Sequence, residues 1–160
     1  HCHTRRQRQM CIRDSYDYKQ TETINGNTWS NDFYQSQYDF GFGLSYSNFE
    51  YSNLKINKKK INEREEIIIS VDVENTSDVT GKEVVQLYTR DHYATIAPPL
   101  KKLQRFAKIE LSAKEKKTVN FTLSEKDLRF FGIENKWISE NGKFSIFINQ
   151  LEEEFTLIKS

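Results

Sequence analysis

The 160-residue sequence holds no apolar run near the roughly 18 to 20 residues that cross a bilayer, and its mean hydropathy is −0.77. No membrane partner is expected. Charge of one sign is also missing, since Lys+Arg 24 against Asp+Glu 23 leaves a formal +1. That excludes a strongly basic nucleic-acid binder and an acidic tail as the dominant theme. Thiols are almost absent: Cys2 and Cys11, like the single methionine Met10, fall at the very start. Beyond residue 15 there is no cysteine and one histidine, His92, so redox or metal arguments have little to rest on. The length permits one ordinary core and is too short for two.

The first fifteen residues differ from the rest. Arg5, Arg6, Arg8 and Arg13 face only Asp14, and His1, Cys2, His3 and Cys11 offer nitrogen and sulfur ligands. Their spacing fits no zinc module, and no flanking apolar residues supply a supporting core, so neither a metal site nor a Cys2–Cys11 disulfide is expected. There is no apolar stretch for a signal peptide. The run Arg5–Ser15 resembles a translated sequencing-adaptor read-through. Residues 1–15 are therefore read as a disordered, artefactual arm, and with no Met at position 1 the chain is expected to be a fragment or the translation of an incomplete reading frame.

Residues 16–51 then carry 11 of the chain's 21 aromatic residues among Asn, Ser, Thr, Asp and Gly, with no helical period. Such a stretch cannot build its own core, so its rings must lie over a neighbouring surface. Trp29, Tyr34, Tyr38, Phe40, Phe42 and Tyr46 are the candidates for domain packing or for stacking on sugar rings, with packing favoured. Gly41 and Gly43 around Phe42 suggest tight turns.

From residue 48 the period becomes two. Phe49, Tyr51, Leu54 and Ile56 open a strand. In Glu65–Glu74, Ile67, Ile69, Val71 and Val73 alternate with Ser70, Asp72 and Glu74, as a half-buried antiparallel strand requires. Glu83–Arg90 is apolar on both faces, which predicts a central strand. Leu103 to Leu111 and Thr118–Leu123 follow. Ser124 to Asp127 reads as a capped turn, Asn141-Gly142 as a hairpin, and Phe144–Ile148 and Phe155–Ile158 as the closing strands. About seven short strands predict an all-β, fibronectin type III-like (immunoglobulin-like) antiparallel sandwich. Lysine runs such as Lys58-Lys59-Lys60 are read as solvated turns and strand ends, and Asn75-Thr76-Ser77 and Asn120-Phe121-Thr122 match the glycan acceptor pattern.

Chemistry is conspicuous by its absence. Asp91-His92 reads as a solvated turn, the consecutive acids Glu63, Glu65, Glu66 and Glu152 to Glu154 split between faces, and no calcium-loop or phosphate-loop pattern occurs. No catalytic, cofactor-binding or metal residue is expected.

Tyr38-Asp-Phe-Gly-Phe-Gly-Leu-Ser-Tyr46 followed by Phe49 closely resembles a signature of glycoside hydrolase family 3. Val71-Asp-Val-Glu-Asn-Thr76, Gly81-Lys-Glu-Val-Val-Gln-Leu-Tyr88, Leu100-Lys-Lys-Leu-Gln-Arg-Phe106 and Gly142-Lys-Phe144 resemble further family motifs in the same order. The chain departs from the family at Asp39, Ser77 and Leu100. The resemblance spans about 16–160 and implies a linker with the tail of an α/β-sandwich domain over 16–45, then a fibronectin type III-like domain over 46–160. It implies a parent of β-glucosidase or β-xylosidase type whose nucleophile and acid/base lie in domains outside this chain. The expected partners are those catalytic domains and possible oligosaccharide. A stand-alone carbohydrate-binding or adhesion module is the alternative. A periplasmic or secreted location is favoured over a cytoplasmic one, with no segment here fixing it.

Overall fold

The computed structural model describes residues 17–18, 43–96, 99 and 101–159. Among them eleven strands form two facing sheets and one small ladder. The larger sheet runs β1 (Asp17–Tyr18), β6 (Lys101–Leu111), β5 (Gly81–Asp91), β10 (Gly142–Ile148), β11 (Leu151–Ile158) and β3 (Lys60–Asn62). The smaller has β4 (Glu66–Asn75) between β2 (Phe49–Ile56) and β7 (Lys116–Ser124). Neighbours are antiparallel except β3, which lies parallel to β11 with Ile61 opposite Leu157. The expected all-β sandwich is thus present, and β5 is central as its two apolar faces require.

The alternation in β4 is obeyed residue by residue: Ile67, Ile69, Val71 and Val73 are fully buried, and Ile68, Ser70, Asp72 and Glu74 face outward. Opposite them Val119, Phe121 and Leu123 of β7 extend the inner face. Val85 and Leu87 of β5, Phe144, Ile146 and Ile148 of β10, and Phe155 and Leu157 of β11 close the core from the other sheet. Phe144 and Phe155 are cross-strand partners whose rings stack at 5.5 Å. Each such side chain contributes about 1.5–3 kcal/mol on burial.

The inner face of β4 ends on a polar residue. Asn75 is fully buried, and its amide nitrogen donates to the carbonyls of Val79 (2.8 Å), Ser112 (3.0 Å) and Leu111 (3.2 Å). Its Oδ1 accepts the Ser77 N–H at 3.0 Å. Asn75 therefore fastens the β4–β5 loop to the β6–β7 loop. In the folded domain it cannot serve as the glycan acceptor its sequence pattern suggested, whereas Asn120 is exposed.

A second tie crosses between sheets. The Tyr51 hydroxyl of β2 donates to Glu83 Oε1 of β5 at 2.7 Å, and burial followed by this bond pushes its phenol above the ordinary range. At the same end of the sandwich Ser47 is buried against Gly81, where an added Cβ would stand 2.7 Å from Ser47 Cβ and 2.9 Å from Phe49 Cζ.

One local reading is corrected. Asn141-Gly142 is no hairpin turn: Trp137–Ile138 (β9) pairs with Phe130–Phe131 (β8), and Gly142 simply begins β10. The tight turn joining β10 to β11 is Asn149-Gln150, where Asn149 takes φ 53°. Lys58 to Lys60 are exposed, as expected of a turn and strand end, and Ile61 directly after them is buried in the core as the centre of β3.

Candidate functional site

Of the aromatic candidates, Trp29, Tyr34, Tyr38, Phe40 and Phe42 lie outside the described residues. Tyr46 is described and fully exposed, as is Leu44 beside it. The structure therefore assembles no aromatic site from Tyr46.

The only histidine beyond the arm is better anchored than a solvated turn. β5 ends at Asp91, and the His92 backbone N–H donates to the Lys143 carbonyl at 3.1 Å. Its Nε2 lies 2.8 Å from Ser145 Oγ, because Ser145 is on the outer face of adjacent β10. Ser145 has no accessible surface, so this Ser–His pair cannot act as a nucleophile and base. Asp91 is half-buried, and burial raises its carboxyl above the ordinary carboxylate range. Glu140 adds to the rise, while the Tyr93 N–H and His92 act against it.

Asp91 lines a groove at the end of the sandwich, with Ile96, Pro99, Lys102, Gln104, Leu128, Phe130, Phe131 and Phe144 among its walls. Asp91 is the sole carboxylate among the described lining residues, and glycoside hydrolysis requires two flanking the scissile bond. At about 120 Å³ the groove is also well below the roughly 300 Å³ at which ligand pockets begin. In β11 Glu153 is half-buried between exposed Glu152 and Glu154, Glu154 pairs with Lys143 at 2.7 Å, and all three acids line an open groove with Lys59, Lys60 and Lys143. Among the described residues no group of three or more His, Cys, Asp or Glu side chains could hold a metal ion.

What stands out instead is the projection beyond that groove. Ser124 ends β7, and Asp127 Oδ2 accepts its backbone N–H at 2.9 Å and its hydroxyl at 3.1 Å, fixing the single turn Glu125–Leu128. Glu125 is buried, yet it holds Arg129 through Nε at 3.0 Å and Nη2 at 2.7 Å and accepts the Ser139 hydroxyl. These bonds, Arg129 foremost, hold its carboxyl below the usual range. Lys159 completes the cluster by donating to the Ser139 carbonyl at 3.0 Å. Both feet of the β8–β9 hairpin are thereby pinned to the sandwich.

The hairpin itself is closed by Gly132 N–H to Lys136 carbonyl (2.9 Å) and Asn135 N–H to Gly132 carbonyl (3.1 Å). On its outer side Phe131 and Trp137 pair edge-to-face at 5.7 Å. Phe131 is 50%, Trp137 64% and Ile133 74% exposed. Neither ring stands among the aromatic candidates read from the sequence. The available signal was the polar Glu134-Asn135-Lys136 tip inside an aromatic run, too short to bury its rings.

Residues 83–151 match the family described as fibronectin type III-like domain. The thermostable β-glucosidase B of Acetivibrio thermocellus is 34% identical over 148 residues, 92% of this chain and 20% of that protein. A putative β-xylosidase of Formosa agariphila is 40% identical over 111 residues, 69% of this chain and 15% of that protein. Among solved structures, a β-glucosidase from Erythrobacter marinus superposes with a TM-score of 0.80 at 32% identity, covering 91% of this chain and 20% of that one. The chain thus spans a fifth or less of the length of these relatives.

Proposed function

The chain carries a fibronectin type III-like domain similar to part of β-glucosidases and β-xylosidases, and from that premise we propose that it is the C-terminal, non-catalytic domain of a family 3 glycoside hydrolase. Its parent would hydrolyse O-glycosyl bonds of β-glucosides or β-xylosides. The observation that carries this reading is the extent of the match: nearly the whole chain aligns with one fifth of a β-glucosidase. The site supports it from the other side, since Asp91 is the sole carboxylate among the described residues lining its groove and Ser145 is inaccessible. The domain's work is then mechanical, to pack against and stabilise the catalytic part.

The test is direct. The 160-residue chain incubated with aryl β-glucosides and β-xylosides should release no chromophore above buffer, and measurable turnover that survives repurification would refute the assignment. Genomic DNA upstream of codon 16 should encode, in frame, the remaining catalytic domains, and a stop codon there would refute it equally.

A further inference from the structure

Resting on that reading, we infer that the β8–β9 hairpin with its neighbouring groove is the surface seated on the catalytic body of the parent glycosidase.

A two-stranded ladder of two residues each is not stable by itself. This one persists because Glu125, Arg129, Ser139 and Lys159 lock its base and because Gly132 packs on Ile138, so tightly that a Cβ there would lie 2.6 Å from Ile138 Cδ1. Burying the Glu125 carboxylate is an expensive way to hold a loop whose apolar residues then face water. The expense is understandable if those residues meet a partner. Phe131, Ile133 and Trp137 fall within seven positions, and beside them lie half-open Ile96 and the apolar groove walls Leu128 and Phe130. Exposed aromatics held rigid in an apolar cluster are the usual anchors of protein contacts, with tryptophan foremost.

Two facts select the occupant. About four fifths of the matched β-glucosidase lies outside this chain, so a domain that belongs to such an enzyme must meet a body several times its size. The polypeptide ahead of the domain also reaches this end, since β1 pairs Asp17 with Lys102 and Tyr18 with Lys101, and Lys102 lines the groove. The competing face is the outer side of the large sheet, where Phe106 is 68% and Val84 39% exposed. Those two residues are flanked there by Gln86, Lys82 and Lys108, and no comparable lock presents them.

The experiment mixes the 160-residue chain with the Acetivibrio β-glucosidase lacking the fifth of its length that this chain matches, and follows amide hydrogen exchange and association. Slowed exchange concentrated in residues 130–138 and 93–96 is expected. The double variant Phe131→Ser, Trp137→Ser should bind about tenfold or more weakly, with its thermal midpoint unchanged. Should that variant fold poorly, Ile133→Ser at the hairpin tip serves in its place. Protection centred on Val84 and Phe106, with the hairpin still exchanging freely, overturns this surface but leaves the parentage standing. Absence of any association overturns the proposed function itself. Retardation in a β-glucan affinity gel that disappears in the double variant would reassign the hairpin to sugar and also overturn the inference.

Discussion

Replacing Asn75 with alanine removes a side chain whose two N–H groups serve three carbonyls and whose oxygen serves a fourth group. Each such hydrogen bond contributes about 1 kcal/mol net, and buried groups left without a partner cost about 1–3 kcal/mol. Some of the abandoned carbonyls sit near the surface and water will reach them, so the loss settles at about 3–4 kcal/mol. For a domain of this size that corresponds to a fall in thermal midpoint of about 12–16 °C. Asn75→Asp sharpens the test because it keeps shape and acceptor but turns a carboxylate toward three carbonyl oxygens. At neutral pH it should be worse than alanine. Its folded-state pKa is raised, so the penalty is fully present above that value and is relieved as pH falls through it, when the protonated acid regains one donor. Urea melts at pH 7 and pH 5 measure both effects. An alanine variant within about 0.5 kcal/mol of the parent, inside the range of ordinary surface changes, would refute the reasoning. So would an aspartate variant as stable as asparagine at pH 7.

Tyr51→Phe deletes the bond to Glu83 and should lower stability by about 1–2 kcal/mol in a denaturant melt, because the phenol remains protonated at all ordinary pH values. Gly81→Ala drives a methyl into Ser47 and Phe49 and should cost about 1–3 kcal/mol, accompanied by faster amide exchange at Ser47. Glu125 has a lowered folded-state pKa, so its contribution is complete above the unfolded value near 4.3 and is lost as pH falls through the folded one. Glu125→Gln should therefore cost about 1–2 kcal/mol at pH 7, after allowance for the half-open Arg129. The gap to the parent should narrow in acid melts below pH 4.

Much of the sandwich is legible in the sequence because one face of each long strand meets oil and the other water. β4 is the clearest case, and its period of two survives without exception from Glu66 to Asn75. Short strands escape that logic. Three residues cannot establish a period, so Ile61 among lysines looks solvated until the parallel contact with β11 buries it. Asn141-Gly142 misleads because a turn signal states only that the backbone can reverse. Whether it does depends on which strands pair, and here Trp137–Ile138 pairs backward with Phe130–Phe131. The Asn141 oxygen is occupied in accepting the Lys159 N–H. The candidate surface was the least legible part. Apart from the polar tip between them, nothing in the residue pattern around Phe131 and Trp137 marks them as exposed, and only the closed ladder and the Glu125 cluster reveal that they are held outside.

The parallel contact between β3 and β11 also governs when the domain can come into being. Ile61 lies near the beginning of the sandwich and Leu157 near the end of the chain, so this pairing closes a loop of about a hundred residues. Val71 likewise waits for Val119, about fifty residues later. Such non-local pairings place the domain among slow folders, on the scale of milliseconds to seconds. During synthesis the core stays open until the last strand has left the ribosome. A chain stopped before residue 151 would leave Ile61, Phe144 and Ile146 without their covering strand, and it would be met by proteases as an unfinished one.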